Sequence, residues 1–316
     1  MSGLPVEAAH RLETCPEERR WLIEQLWSDQ AVGIVGGEPK CCKSFLALDM
    51  AVAVASATAC LRRFRVAQPG RVLLFAAEDA LHVVRRRLDG ICLAAGVRLA
   101  DIDIQVITAP SLRLDLDADR RRLTETVSDL RPRLLLLDPF VRLHRVDENV
   151  SAEVAPLLAY LRELQRAYGA AVAVVHHARK GAAHARGGQA LRGSSEFHAW
   201  GDSNLYLRRA GDELSLSIEH RAAPSPPPLA VGLKADDDAV ALEVRSTAAR
   251  AEARPSPASV ADTVERALSL ATAPLSLSTL RQMCRLRTQT VCDALATLQR
   301  DGRIVKRPGG YQLAPR

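Results

Sequence analysis

Gly36-Gly37-Glu38-Pro39-Lys40-Cys41-Cys42-Lys43-Ser44 stands between a short apolar run, Val32–Val35, and a longer one, Ser44–Ala57, whose apolar residues recur at spacings of three and four. The first run reads as a buried strand and the second as a helix. A chain of phosphates needs inward-pointing backbone N–H groups, a helix N-terminus, one mobile ammonium and a hydroxyl for Mg²⁺, and this stretch supplies all four. Gly37, Glu38, Pro39, Lys40, Cys41 and Cys42 form the backbone cradle. Lys43 brings the ammonium, Ser44 the hydroxyl, and Phe45 the first helical turn. The usual pattern is G-x-x-x-x-G-K-[ST]; Cys42 replaces its second glycine, which keeps the donors and changes the crowding near a β-phosphate. A βα turn that merely contains Lys-Ser is the plainer alternative.

Working outward, strands are predicted at Val72–Ala76, Ile104–Ile107, Leu134–Leu137, Ala171–Val175 and Leu205–Leu207, and helices at Ala80–Ala95, Ala118–Leu130 and Ser151–Tyr168. Short apolar runs alternating with amphipathic ones indicate a doubly wound, mostly parallel α/β sheet. After Arg209 the periodicity becomes two, over Leu214–Ile218, Leu229–Leu233 and Val240–Val244, which predicts antiparallel hairpins appended to that sheet.

Two strand ends carry acids. Leu134-Leu135-Leu136-Leu137-Asp138 is a buried strand ending in a carboxylate able to orient Mg²⁺. Val72–Ala77 leads to Glu78-Asp79, where a carboxylate can accept a proton from water attacking a γ-phosphate, although Asp79 also suits a helix N-cap. At a third strand end, His176 and His177 follow Val172–Val175, the place where ligands bind in such sheets, with one of the pair expected only to cap or pack. The segment 178–193 that follows holds Arg179, Lys180, His184, Arg186 and Arg192 among four glycines. Its basic character suits contact with a single-stranded nucleic acid backbone; a solvated loop is the alternative, since no aromatic interleaves it before Phe197 and Trp200.

In this order and at these separations, the phosphate loop, strand-Ala-Glu78-Asp79, strand-Asp138-Pro-Phe, strand-His176-His177-Ala-Arg-Lys180 and Leu191-Arg-Gly-Ser-Ser195 resemble the RecA-like P-loop ATPases of the RepA type, hexameric plasmid replicative helicases related to the DnaB helicases and RecA. The resemblance covers residues 25–210. It implies a RecA-like fold, Lys43 and Ser44 on phosphate and Mg²⁺, Glu78 as catalytic base, Asp138 as Walker B acid, and His176 or His177 as γ-phosphate sensor. It also implies an arginine donated by a neighbouring subunit, for which Arg192 and the pair Arg208 and Arg209 are candidates.

Residues 247–259, TAARAEARPSPAS, have little to bury and read as a linker. Beyond it, Val260–Leu270, Ser278–Cys284, Thr288–Arg300 and Arg303–Leu313 predict helices and a β-ribbon with a Gly309-Gly310 turn, a pattern similar to winged helix-turn-helix domains. Val291, Leu295 and Leu298 are expected to face inward; Arg287, Gln289, Thr290 and Asp293 outward as the reading face, with Lys306 and Arg307 on the wing. Residues 258–316 hold 9 Lys/Arg and 4 Asp/Glu, nearly all of the chain's net charge of +6, which points to a polyanion partner. A protein-binding role is the alternative for this module. The expected organisation is an arm over 1–24, an ATPase domain over 25–246, a linker over 247–257 and a winged helix over 258–316.

With 316 residues, 47% hydrophobic and 25% charged, the chain reads as globular rather than disordered or collagenous. No apolar run reaches the roughly 18 residues of a membrane span, and the first twenty residues lack a signal-like core. Its 7 cysteines show neither a disulfide framework nor zinc spacing, so a reduced, cytoplasmic setting is expected. Taken together these readings predict an ATP- and Mg²⁺-dependent oligomeric motor, a hexameric helicase or translocase, with single-stranded DNA in its channel and duplex at the winged helix. A DNA-bound regulatory ATPase that recruits a partner, and a nucleotide-sensing repressor, are the alternatives that strand displacement and ATP turnover distinguish.

Overall fold

The computed structural model describes residues 6–12, 20–177, 196–245, 257–271, 273–284, 286 and 288–314. The chain divides into two compact units, Met1–Arg245 and Ser246–Arg316. In the first, a short hairpin of β1 (Trp21–Ile23) and β2 (Trp27–Ser28) precedes β3 (Val32–Gly37) and α1 (Lys43–Ser56). There follow β4 (Val72–Ala76), α2 (Leu81–Ala95), β5 (Ile104–Val106), α3 (Asp117–Leu130), β6 (Leu134–Asp138), α4 (Ser151–Tyr168) and β7 (Ala171–His177). The unit closes with α5 (Glu196–Trp200), β8 (Ser203–Ala210), β9 (Glu213–His220), β10 (Leu229–Asp236) and β11 (Ala239–Val244).

The main sheet has 9 strands in the order β11-β10-β9-β8-β3-β7-β6-β4-β5. Pairing is parallel from β8 through β3, β7, β6 and β4 to β5, and antiparallel from β8 to β11. This is the RecA-like α/β architecture with its appended hairpins. Because side chains alternate across a strand, each central strand feeds two cores. Leu134 and Leu136, Ala173 and Val175, and Val35 join α1 and α2 on one face. Leu135 and Leu137, Val172 and Val174, and Ile34 join α3 and α4 on the other. α1 is apolar around nearly its whole circumference, as befits a helix enclosed on all sides.

The first hairpin lies outside what the sequence suggested. Leu22, Ile23, Leu26 and Trp27 are buried in the α1 core, so the globular unit begins at about Trp21 and a boundary after residue 24 cuts through it. Two strands of two or three residues carry too little pattern to be read from sequence.

The second unit, taken by itself, contains α6 (Pro257–Ser269), α7 (Leu277–Cys284), α8 (Thr288–Arg300), β12 (Ile304–Arg307) and β13 (Gly310–Leu313), the last two an antiparallel ribbon. Val260, Val264, Leu268, Leu280, Val291, Leu295, Leu298 and Ile304 form its core, and Leu275 exchanges backbone hydrogen bonds of 2.9 and 2.8 Å with Tyr311. No helix among the described residues is long and apolar enough to cross a membrane.

Candidate functional site

At the C-terminal ends of the parallel strands, between β3, β4, β6 and β7, lies a cavity of about 350 Å³. It is lined by Lys40, Cys41, Cys42, Lys43, Ser44 and Phe45 from the loop and α1, Ala76, Glu78 and Asp79 after β4, Arg87 from α2, Asp138 from β6, and Val175 and His177 from β7. One rule selects the acids and the histidine. Glu78, Asp138 and His177 continue the parity of residues facing the α1 core, so each projects toward the loop. His176 has the opposite parity and is only 1% exposed. It stacks on Phe197 at 4.2 Å, meets Phe140 edge-on at 6.0 Å, and places Nδ1 3.9 Å from Glu148. Of the two histidines, His177 faces the cavity and His176 packs the far core.

The loop itself is shaped by unusual backbone. Gly37 has φ +153°, and a Cβ there would run into the Leu207 carbonyl and the Cys41 sulfur. Lys40 and Cys42 both adopt the left-handed region, at φ 64° and 65°. The departure at Cys42 is therefore a matter of conformation: a β-carbon occupies a position that favours glycine. Cys41 is buried, whereas Cys42 is half-exposed and its Sγ lies 3.8 Å from the Arg209 guanidinium of the same chain. Arg209 shares the parity of Leu207 and so reaches the loop; Arg208 alternates to the other face.

The Lys43 side chain is 6% exposed, and its ammonium donates to the Glu38 carbonyl at 2.8 Å. Burial lowers its pKa, opposed by the nearby Cys41, Asp138 and Glu78. Asp138 is 9% exposed, and burial pushes its carboxyl up to about 6. A hydrogen bond from Ser44 and the charge of Lys43 oppose that rise, while Asp79 and Glu78 add to it. Asp79 is held by Arg87, whose guanidinium also lies over the Phe45 ring. Glu78 is exposed and accepts from Arg142 Nε at 3.0 Å. Arg142, which sequence reasoning missed, sits just past Asp138 and becomes visible only once the β4–β6 register is known.

Arg179, Lys180, Arg186, Arg192 and Arg287 lie outside the described residues, as does the side chain of Gln289. In the second unit Thr290 is half-buried, Asp293 exposed, and Lys306 and Arg307 exposed on the ribbon, with Lys306 over the Tyr311 ring.

A strand–loop–helix cradle, a buried ammonium, a hydroxyl bonded to a strand-end carboxylate and a RecA-like sheet define a P-loop ATPase. The chain matches the AAA domain family over residues 3–183 and belongs to that family. No curated protein matches it. Among solved structures it is similar to the ATPase domain of a helicase, with a TM-score of 0.52 and 12% identity over 69% of this chain and 87% of that one. A second similar structure, the RadB recombinase, has a TM-score of 0.47 and 15% identity over 69% of this chain and 92% of that one.

Proposed function

We propose that the chain is an ATP-driven, DNA-acting oligomeric motor, a helicase or translocase that assembles as a ring, most simply a hexamer. The observation that carries the reading is the pairing of a complete hydrolytic site, with Lys43, Ser44, Asp138 and Glu78 on one cavity, with a separate basic unit of three helices and a ribbon. The residues fit Mg²⁺–ATP. Lys43 is a buried ammonium that donates to one backbone carbonyl, a bond it can exchange for phosphate oxygens. Among the described residues no three side chains form a metal cage, and a hydroxyl with one carboxylate suits a Mg²⁺ that arrives with its phosphates.

When bound, Mg²⁺–ATP supplies an electrophilic γ-phosphoryl group and charge neutralisation. Lys43 holds the phosphate chain, Ser44 and Asp138 orient the cation, and Glu78 takes the proton of the attacking water at a carboxylate oxygen. His177 is the candidate sensor of the γ-phosphate, and Arg192 or Arg208 the arginine donated to a neighbouring subunit. Arg179, Lys180 and Arg186 are proposed to contact single-stranded DNA. The second unit is proposed as a winged helix, with Arg287, Gln289 and Thr290 toward duplex bases and Lys306 and Arg307 toward phosphates. The likeness to the helicase ATPase domain supports the fold on which this rests.

The test separates binding from chemistry. Glu78→Gln keeps the shape of the carboxylate but cannot accept the proton. It is expected to bind a fluorescent ATP analogue like the wild type, with turnover lower by a factor on the order of 10²–10⁴. Undiminished turnover moves the base elsewhere, Asp79 being next. Strand displacement on a forked duplex then distinguishes a helicase from a translocase or switch.

A further inference from the structure

Glu78 and Arg142 meet because of strand register. Ala76 at the end of β4 pairs with Asp138 at the end of β6, and the Ala77 amide donates to the Asp138 carbonyl at 2.7 Å. Two residues further on the first chain segment comes Glu78; on the second, a 3₁₀ turn spans Phe140–Arg142. Phe140 is fully buried, with its ring edge-on to Phe197 at 5.2 Å, so the turn is anchored from inside. Arg142 projects outward from it with its side chain 61% exposed, against 44% for Glu78.

The three acids of the cavity are thus engaged differently. Asp138 accepts from Ser44, deep in the site, and Asp79 is held by Arg87. Glu78 has the more accessible partner, and the oxygen that Arg142 engages is one of the two able to take a proton from water. We propose that Arg142 restrains Glu78 in the DNA-free enzyme and that a phosphodiester of single-stranded DNA draws Arg142 away, so that polynucleotide binding frees the base.

Exposed carboxylate–guanidinium pairs contribute little to stability and are screened by salt, so this one yields to a competitor. A phosphate is the ligand for which a guanidinium is best shaped, accepting two parallel N–H bonds. Arg145, three residues on and also exposed, adds a second cation to the same surface. Phosphate oxygens could equally come from ATP itself, and the experiment distinguishes the two sources. The inference rests on the DNA-acting reading above.

The experiment uses the full chain, wild type and Arg142→Ala, with three readouts: ATP turnover with and without an oligothymidylate, affinity for a fluorescent ATP analogue, and oligonucleotide binding against salt. Arg142→Ala is expected to raise DNA-free turnover by a factor on the order of 3–10. Stimulation by DNA should fall toward none, and affinity for the ATP analogue should stay within about twofold of wild type. The salt slope of oligonucleotide binding should drop by about one. Unchanged or lower DNA-free turnover in a variant still stimulated like the wild type overturns the restraint and leaves the DNA reading standing. A large loss of affinity for the ATP analogue assigns Arg142 to the nucleotide instead and also overturns it. Wild-type turnover indifferent to DNA overturns the DNA reading and the partner named here together.

Discussion

Cys42 shows how one side chain sets the terms of a loop. Its left-handed backbone, φ 65° and ψ 26°, costs an L-residue roughly 1–2 kcal/mol, and glycine avoids that at the expense of some unfolded-state entropy. Cys42→Gly is therefore expected to stabilise the protein by up to about 1 kcal/mol and to preserve or raise turnover, as a melting curve and an ATPase assay will read. Lys43→Ala removes the buried ammonium and should abolish hydrolysis; an active variant removes the P-loop assignment. Asp138 gives a prediction with a sign. Its folded pKa, about 6, lies above the ordinary aspartate value of 3.8, so the folded state binds the proton more tightly. The contribution is favourable below the unfolded value and is lost as pH rises through about 6, a swing on the order of 3 kcal/mol. Asp138→Asn should accordingly raise the melting temperature of the nucleotide-free protein at pH 8 more than at pH 4, while impairing Mg²⁺–nucleotide binding. A gain of equal size at both pH values contradicts the buried-carboxylate account.

At the scale of elements, β3 is held by contact on both edges. An added Cβ at Gly33 would collide with the Ser203 carbonyl of β8's first residue and press on the Trp27 ring. Gly33→Ala should unfold or severely weaken the first unit, by several kcal/mol in a denaturant titration, through overpacking of a close-packed core. The six parallel strands were legible in the sequence because each is a run of apolar residues bounded by turn residues, and the site followed because a phosphate loop and two acids terminate such runs. What was not legible depended on geometry between segments. The β1–β2 hairpin and the five-residue α5 are too short to show a period. Which of two neighbouring residues faces the loop, His177 over His176 and Arg209 over Arg208, follows from strand parity. The parity was present in the sequence, but it needs one residue of each strand anchored to a face. Arg142 lay beyond either signal, because its meeting with Glu78 depends on the register of two non-consecutive strands.

At the scale of the whole molecule, the two units keep separate cores, with no residue shared between those of the first and that of the second. Deleting 248–316 is therefore expected to leave nucleotide binding intact while removing most duplex affinity and flattening its salt dependence, as fluorescence anisotropy will show. Nucleotide binding lost along with the second unit would contradict that division. The proposed coupling of hydrolysis in the first unit to a nucleic acid strand is read from ATP turnover of the full chain with and without a single-stranded oligonucleotide, with Lys43→Ala as the blank. The wild type should turn over, Lys43→Ala should not, and adding the strand should raise the wild-type rate several-fold; a wild-type rate that the strand leaves unchanged would refute the coupling.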